Sequence, residues 1–122
     1  MQSEQKSPSG SEKDIFSLLG EYTDSVKKIY GTSLSKVILF GSYARGDYNE
    51  DSDIDIMILL QVAPQDERKQ LDALASLTAD FNLTHNTYII PLPKSAETFT
   101  KWGQIDPFYK NVNREGRILF GT

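Results

Sequence analysis

The chain has 122 residues, of which 39% are hydrophobic and 25% charged, a composition typical of one globular domain with no room for a second of ordinary size. It contains no cysteine and one histidine, so disulfide frameworks, thiolate nucleophiles, cysteine-based zinc sites and multi-histidine metal clusters are excluded. The formal net charge of −4 disfavours direct nucleic-acid binding, because no overall positive field would hold a phosphate backbone.

The first ten residues are polar and turn-forming, and they lack the apolar stretch of a secretory signal. Such a segment cannot bury enough apolar surface to offset its ordering entropy, so we predict a flexible tail over residues 1–10 and one domain over residues 11–122. No apolar run is long enough to span a bilayer. The lack of a signal and of cysteine suggests the cytoplasm.

Helix and strand signals alternate through the first half of the chain. Apolar residues at helical spacing predict an amphipathic helix over residues 11–30, which Gly31 ends. The mostly apolar runs of residues 36–40 and 53–60 are typical of strands buried on both faces. Pro64 then suits the first turn of a helix. The apolar stripe of that helix consists of Leu71, Leu74, Leu77 or Thr78, and Phe81.

The second half continues this alternation. We predict a third strand over residues 85–90, a short helix over residues 94–102, a helix that Asp106 caps and Gly116 ends, and a last strand at residues 117–120. This order predicts a single α/β domain with a mixed β-sheet flanked by helices. Four aromatic residues near the C-terminus are interpreted as core, with a partner surface as the alternative: Phe99, Trp102, Phe108 and Tyr109.

The chemistry is concentrated in residues 41–55, GSYARGDYNEDSDID. Gly41 ends a buried strand, and a short helix from Ser42 would offer backbone amides to phosphate oxygens. Asp53 and Asp55 stand two apart on the next strand, so strand alternation would place both carboxylates on one face. Mg²⁺ prefers one or two carboxylates together with phosphates and water, and the segment therefore predicts a site for a metal-bound nucleotide.

The same residues also have a structural interpretation, in which Gly41 and Ser42 form a turn and the two aspartates are solvated charges at a strand end. The functional interpretation is favoured because carboxylates in an otherwise apolar strand cost free energy without partners. Arg45 is a further candidate for nucleotide binding, since it could contact a phosphate from the short helix. It could equally pair with Asp47 or Asp51 at the surface.

The segment resembles the signature of the minimal nucleotidyltransferases, members of the polymerase-beta-like nucleotidyltransferase superfamily, in which Gly-Ser is followed after ten residues by Asp-x-Asp. The resemblance extends from about residue 11 to the C-terminus, where DPFYKNVNREGRILF is similar to the ending of stand-alone members. It implies a small nucleotidyltransferase fold in which Gly41 and Ser42 bind the triphosphate. It also implies that Asp53 and Asp55 are the catalytic residues and hold Mg²⁺ or Mn²⁺.

The resemblance further implies a reaction and a partner. Members of the family transfer a nucleoside monophosphate, here AMP from ATP, to a hydroxyl, and pyrophosphate leaves. Many resemble the antitoxin half of a pair whose partner is a HEPN-domain ribonuclease, which they neutralise by adenylylating a tyrosine. We therefore expect ATP and a HEPN-type partner protein as binding partners, with no membrane and no direct nucleic-acid binding.

One position departs from the family pattern. The superfamily's third carboxylate lies on a later strand beside the pair, yet the sequence has no Asp or Glu between Asp80 and Glu97. Aligning YIIPLPKS with the end of that strand places Asn86 at the third position, with His85 and Thr87 as neighbours. An amide oxygen binds metal more weakly than a carboxylate and cannot act as a general base, although a neutral His85 could accept a hydroxyl proton.

Three functions are therefore considered. The first is an active nucleotidyltransferase. The second is a catalytically weak or inactive relative that neutralises a partner protein by complex formation. The third, an aminoglycoside-modifying enzyme, is disfavoured because 122 residues leave little chain for an additional substrate-binding region.

Overall fold

The computed structural model describes residues 8–121, with side chains from residue 15 onward. The first element is helix α1, Pro8–Tyr30, whose inward face carries the buried side chains of Leu19, Tyr22 and Val26. The predicted helix is confirmed, but it starts earlier than expected, inside the segment predicted to be a flexible tail. The rest of that predicted tail lies outside the described residues.

Four strands form one mixed sheet in the order β3-β2-β1-β4. Their bounds are β1 Leu34–Phe40, β2 Ile54–Leu60, β3 Ile89–Ser95 and β4 Arg117–Phe120. Strand β1 pairs antiparallel with β2 and with β4, whereas β2 pairs parallel with β3. The two apolar strands lie in the centre of the sheet, as their continuous apolar runs require. The predicted mixed sheet and the short last strand are both confirmed.

Hydrophobic cores cover both faces of the sheet. On one face, α1 and helix α3, Leu71–His85, pack against the strands. On the other face, helices α4, Ala96–Trp102, and α5, Pro107–Glu115, contribute to a core that contains Met57. Because alternate residues of a strand share a face, Asp55 lies on the α4 and α5 side of the sheet, at the end of the same row as Met57.

A buried hydroxyl pair joins the two helices of the first core. Tyr22 of α1 is fully buried, and its hydroxyl lies 2.7 Å from the hydroxyl of Thr78 in α3. The Tyr22 ring also makes an edge-to-face contact with Phe81, at 5.3 Å between ring centroids. Burial raises the pKa of Tyr22 to about 12. The ring therefore contributes apolar area to the core while its polar atom keeps a partner.

The segment after β2 differs from the predicted single helix. Pro64 starts a 3-10 helix, Pro64–Gln70, which leads directly into α3. Of the predicted apolar stripe, Leu74, Thr78 and Phe81 are buried, as the helical spacing required. Leu71 is 47% exposed because it is the first residue of α3, next to the 3-10 helix, so its assignment to the stripe was wrong.

Strand β3 begins later than predicted. The chain turns at Asn86, which has φ 55° and follows the last residue of α3. The side-chain oxygen of Asn82 accepts hydrogen bonds from the amide of Ile89, at 2.9 Å, and from the hydroxyl of Thr87, at 2.8 Å. These bonds hold the turn and fix where the strand starts. The predicted strand over residues 85–90 is therefore corrected to Ile89–Ser95.

The predicted capping of α5 is confirmed. Asp106 accepts a hydrogen bond from the amide of Phe108 at 2.9 Å, Pro107 is the first helical residue, and Gly116 follows the last. The aromatic residues divide into two groups: Phe99 and Tyr109 are buried, whereas Trp102 and Phe108 are partly exposed. The core interpretation thus holds for half of them. Within the described residues, the structure contains no helix with the length and hydropathy needed to cross a membrane.

Candidate active site

Three neighbouring strands bring Phe40, Asp55 and Ile90 into one row across the sheet. Asp55 pairs with Phe40 in the antiparallel β1–β2 ladder and with Ile90 in the parallel β2–β3 ladder. Laterally paired residues share a face, so the three side chains stand side by side. The ring of Phe108 covers Phe40, with 5.6 Å between centroids, whereas Ile90 is 48% exposed. Asp55 therefore has one covered side, toward Phe40, and one open side, toward Ile90.

Gly41 lies directly against the carboxylate of Asp55. It follows β1 and precedes the short helix α2, Ser42–Arg45, with a φ of 76° that L side chains rarely adopt. A Cβ added at residue 41 would overlap Oδ2 of Asp55. Residue 41 is therefore glycine for two reasons: the backbone conformation and the close approach to Asp55. The amides at the start of α2, which have no partner within that helix, are brought beside the carboxylate.

The two aspartates are electrostatically coupled. Asp53 is exposed and immediately precedes β2, whereas Asp55 is half-buried within it. Burial raises the pKa of Asp55, the negative charge of Asp53 raises it further, and the charge of Arg45 lowers it. No ion pair to either carboxylate occurs in the described part of the chain. Like charges held together in this way favour the binding of a cation.

Arg45 is engaged at two of its nitrogens. Its Nε donates to Oδ2 of Asp47 at 3.1 Å, and its Nη1 lies 3.5 Å from Oε1 of Glu115 in α5. The predicted alternative of pairing with Asp47 is therefore the observed arrangement, and Asp51 takes no part in it. Since a guanidinium has five N–H donors, these two contacts leave donors for a phosphate.

The structure does not place Asn86 on the strand beside Asp55. Asn86 is an exposed residue at the C-terminal end of α3, and the residue paired with Asp55 is Ile90. The alignment on which the third position was based is therefore corrected by four residues. His85 also belongs to α3, where its ring lies 4.2 Å from that of Phe81.

Sequence reasoning missed Ile90, although one signal for the correct strand start was available. An asparagine between a helical pattern and an apolar run is a common end of a helix, because asparagine tolerates positive φ. Read in that way, Asn86 ends α3 and the strand must start after it. Which residue then faces Asp55 depends on the pairing register, which the alternation in one strand does not give.

A small cavity lies beside Phe40 and Gly41, the two neighbours of Asp55 on its covered side. Its volume is about 160 Å³, and it lies between Gly41 and α5, where its wall includes Arg45, Phe108 and Glu115. A larger cavity of about 370 Å³ is lined in part by residues 50–52 and 86–88. The smaller cavity is the one that continues the row of Asp55, because Phe40 and Gly41 form part of its wall.

The two carboxylates of the site are suited to a cation that is bound together with phosphate. Among the described residues, no group of three or more His, Asp or Glu side chains is arranged to hold a metal ion. Two carboxylates are nevertheless sufficient for Mg²⁺ when phosphate oxygens and water complete the coordination shell. Asp53 and Asp55 are the residues that would contribute them.

The sequence matches a known family and named relatives. The model of the nucleotidyltransferase domain family matches residues 19–106. "Putative protein adenylyltransferase MJ0604" of Methanocaldococcus jannaschii is 38% identical over 103 residues, which cover 82% of this chain and 92% of that protein. "Putative protein adenylyltransferase MJ0141" of the same organism is 35% identical over 79 residues, which cover 65% and 78%.

Two solved structures share the fold. A putative nucleotidyltransferase from Sulfolobus solfataricus superposes with a TM-score of 0.54 at 22% identity, covering 95% of this chain and 90% of that one. A toxin-antitoxin crystal structure with AMP-PNP superposes with a TM-score of 0.51 at 18% identity, covering 84% and 73%. The predicted small nucleotidyltransferase fold is confirmed.

Proposed function

Because the chain belongs to the nucleotidyltransferase domain family and is a nucleotidyltransferase, we propose that it transfers AMP from ATP to a tyrosine hydroxyl of a partner protein. The observation that carries the proposal is the close approach of Gly41 to the carboxylate of Asp55. This contact brings phosphate-binding amides and a cation-binding carboxylate to one point. A nucleoside triphosphate with a divalent cation needs both at once.

Each residue of the site has a role in binding. The backbone of Gly41 and Ser42 would bind phosphate oxygens, and Arg45 would add positive charge from the other end of α2. Asp53 and Asp55 would hold Mg²⁺, or Mn²⁺ in its place. When bound, the ion would neutralise phosphate charge and make the α-phosphorus more electrophilic. The covered side of Asp55 would exclude water from the phosphates.

The transfer is a displacement at the α-phosphorus. The tyrosine oxygen forms a bond to the α-phosphorus, and the bond from that phosphorus to the bridging oxygen breaks. The electron pair of the broken bond leaves with pyrophosphate, and the hydroxyl proton passes to water. An unperturbed tyrosine has a pKa near 10, so the rate should rise with pH as more phenolate forms.

Support for a protein acceptor and a toxin partner comes from similar proteins and not from the geometry of the site. The name of the M. jannaschii relative at 38% identity includes protein adenylyltransferase, which favours a protein acceptor. The toxin-antitoxin structure that shares the fold was determined with AMP-PNP, which favours an adenine nucleotide and a toxin partner. The resemblance to minimal nucleotidyltransferases narrows this to a tyrosine of a HEPN-domain protein.

The test uses a HEPN-domain protein from the same organism as acceptor. The two proteins are incubated with Mg²⁺ and ATP, and the acceptor is examined by peptide mass spectrometry. We expect AMP on a tyrosine with wild-type chain and none with Asp53→Asn or Asp55→Asn. AMP on the acceptor at equal yield with both variants would contradict the proposal.

A second candidate function is neutralisation by complex formation without catalysis. The observation that favours it is that the strand position beside Asp55 carries an isoleucine and no third carboxylate. This candidate predicts tight binding of the partner and no AMP transfer. The same mass spectrum therefore separates the two functions.

A further inference from the structure

The open side of Asp55 is apolar. Ile90 is paired with Asp55 across the β2–β3 ladder, which sets their side chains roughly 5 Å apart on the same face. Ile90 is nevertheless 48% exposed, while its neighbour Ile89 on the opposite face is only 2% exposed. An aliphatic side chain thus stands uncovered next to the carboxylate that would hold the cation.

In-line geometry directs the acceptor to this side. The attacking oxygen and the leaving pyrophosphate must lie on opposite sides of the α-phosphorus. In the proposed function the leaving phosphates are bound at Gly41 and Ser42, which follow β1. Strand β1 lies on one side of Asp55 and β3 on the other. The acceptor hydroxyl must therefore approach from the β3 side, across Ile90.

We propose that Ile90 is the residue that selects the acceptor, by forming the apolar surface on which the ring of the acceptor tyrosine lies. The inference rests on the proposed AMP transfer and adds to it the residue that distinguishes tyrosine from other hydroxyls. A tyrosine ring is apolar along its length and polar at its tip. It can cover Ile90 while its oxygen reaches the α-phosphorus.

A serine hydroxyl would meet a different environment. Serine has one carbon between backbone and hydroxyl, so its backbone amides would have to come against Ile90 to bring the oxygen into reach. Backbone amides that lose water against an aliphatic surface without a hydrogen-bond partner cost free energy. Ile90 therefore favours the aromatic acceptor by contact and disfavours the short aliphatic one by desolvation.

The test compares two small acceptors that differ only in the side chain. AMP transfer from ATP with Mg²⁺ is measured with N-acetyltyrosinamide and with N-acetylserinamide as probes. For wild type we expect kcat/KM at least tenfold higher for the tyrosine probe, at the lower end of what apolar contacts in a pocket discriminate. Ile90→Ala should lower kcat/KM for the tyrosine probe roughly tenfold, and it should leave kcat/KM for the serine probe unchanged or raise it, because less aliphatic surface then desolvates the serine amides.

The chain offers a matched control for this truncation. Ile118 lies on the opposite edge strand, β4, and is 51% exposed, close to the exposure of Ile90. Ile118→Ala should leave transfer to both probes unchanged. Calorimetry with ATP and Mg²⁺ should give affinities within about twofold of wild type for both alanine variants, which separates acceptor selection from nucleotide binding.

Ile90→Asp separates acceptor selection from a vacant metal position. We expect it to lower transfer to the tyrosine probe and to leave the number of Mn²⁺ ions bound in the presence of ATP unchanged. Faster transfer together with one more bound Mn²⁺ would overturn the proposal, because residue 90 would then be an unfilled ligand position. Equal loss in Ile90→Ala and Ile118→Ala, or no preference between the probes, would overturn it while leaving AMP transfer in place. Transfer to neither probe by wild type would overturn this inference, whereas the proposed AMP transfer is decided separately by the mass spectrum of the partner protein.

Discussion

Tyr22 and Asp55 are both desolvated titratable residues, but they lie on opposite faces of the sheet and differ in their partners. Tyr22 is fully buried with the hydroxyl of Thr78 at 2.7 Å, and it is neutral at physiological pH. Asp55 is half-buried beside a second carboxylate, with no ion pair among the described residues. The first face therefore contains a buried hydroxyl pair whose two members satisfy each other, whereas the second face keeps a carboxylate that has no cationic partner among the described residues.

This difference distinguishes the part of the molecule that stabilises the fold from the part that would bind a cation and a nucleotide. The α1 and α3 face contains the larger hydrophobic core and a satisfied hydroxyl pair, so it stabilises the sheet. The row of Phe40, Asp55 and Ile90 ends the opposite face, where the charge of Asp53 opposes the ionisation of Asp55. A divalent cation bound with a triphosphate would offset the repulsion between the two carboxylates.

The largest stability effect is expected from removing the buried ring. Tyr22→Ala should lower the free energy of unfolding by about 3–5 kcal/mol, because it leaves a cavity in the first core. Chemical denaturation measures this directly. Tyr88→Ala is the matched control, since Tyr88 is 54% exposed and its truncation should change stability by less than about 0.5 kcal/mol. Equal losses for the two variants would contradict the assignment of Tyr22 to the core.

Gly41→Ala should affect stability less and nucleotide binding more. With φ 76° and ψ −155°, residue 41 lies in a backbone region that is essentially restricted to glycine and costs an alanine about 1–3 kcal/mol, and the new Cβ would displace the carboxylate of Asp55. We expect a loss of about 2 kcal/mol in unfolding free energy and a loss of ATP affinity, measured by denaturation and calorimetry.

Gly46→Ala provides the control for that variant. Gly46 also has a positive φ, of 88°, but an added Cβ would meet nothing within 4 Å. Its ψ of 7° places residue 46 in the left-handed helical region, so Gly46→Ala should cost about 1–2 kcal/mol of positive-φ strain and leave ATP affinity unchanged. Similar affinities for the two alanine variants would contradict the importance of the contact between Gly41 and Asp55.

The hydroxyl of Tyr22 should have a smaller effect that depends on pH. Tyr22→Phe removes one hydrogen bond and should cost about 1 kcal/mol near neutral pH. The pKa of Tyr22 is about 12 in the folded protein, against about 10 in an unfolded chain. Wild type should therefore lose stability as pH rises from about 10 to 12, because only the unfolded state releases the proton. Tyr22→Phe should lose less over that interval, and parallel pH profiles of the two proteins would contradict the burial of the hydroxyl.

The smallest expected change is a gain in the free energy of unfolding, from Asp55→Asn, where the other variants lose stability. The raised pKa of Asp55 means that the folded protein favours its protonated form, so stability falls as pH rises from the ordinary aspartate pKa through the raised one and stays lowered above it. In metal-free protein at neutral pH, Asp55→Asn should increase the free energy of unfolding by roughly 0.5 kcal/mol after solvent screening. The gain should disappear as pH falls below the ordinary aspartate pKa, because both states of wild type are then protonated. A loss of stability at neutral pH would contradict the account.

Sequence patterns predicted the parts of the fold that depend on local chemistry. The apolar runs that became β1 and β2, and the Asp106 and Pro107 start of α5, each carry their own signal and were confirmed. Gly41 and Asp55 were also chosen from the sequence, and the structure brings them into contact. Their roles in binding stay predictions.

The features that could not be predicted from the sequence depend on contacts between segments that are distant along the chain. The start of β3 is set by hydrogen bonds that the side-chain oxygen of Asn82 accepts, and the neighbour of Asp55 is set by the β2–β3 register. Half of the predicted aromatic core is exposed because Trp102 and Phe108 lie at the ends of α4 and α5 that face each other across a turn. Composition and periodicity describe one segment at a time, so they cannot supply these pairings.

Calorimetric titration with ATP and Mg²⁺ tests most directly whether the row at Asp55 binds a cation and nucleotide. The comparison is between wild type, Asp55→Asn and Asp51→Asn, the last being an exposed aspartate of the same segment. We predict that Asp55→Asn weakens ATP binding by at least tenfold in the presence of Mg²⁺, while Asp51→Asn stays within about twofold of wild type. Equal affinity of all three proteins would contradict the assignment of Asp55 to the nucleotide site.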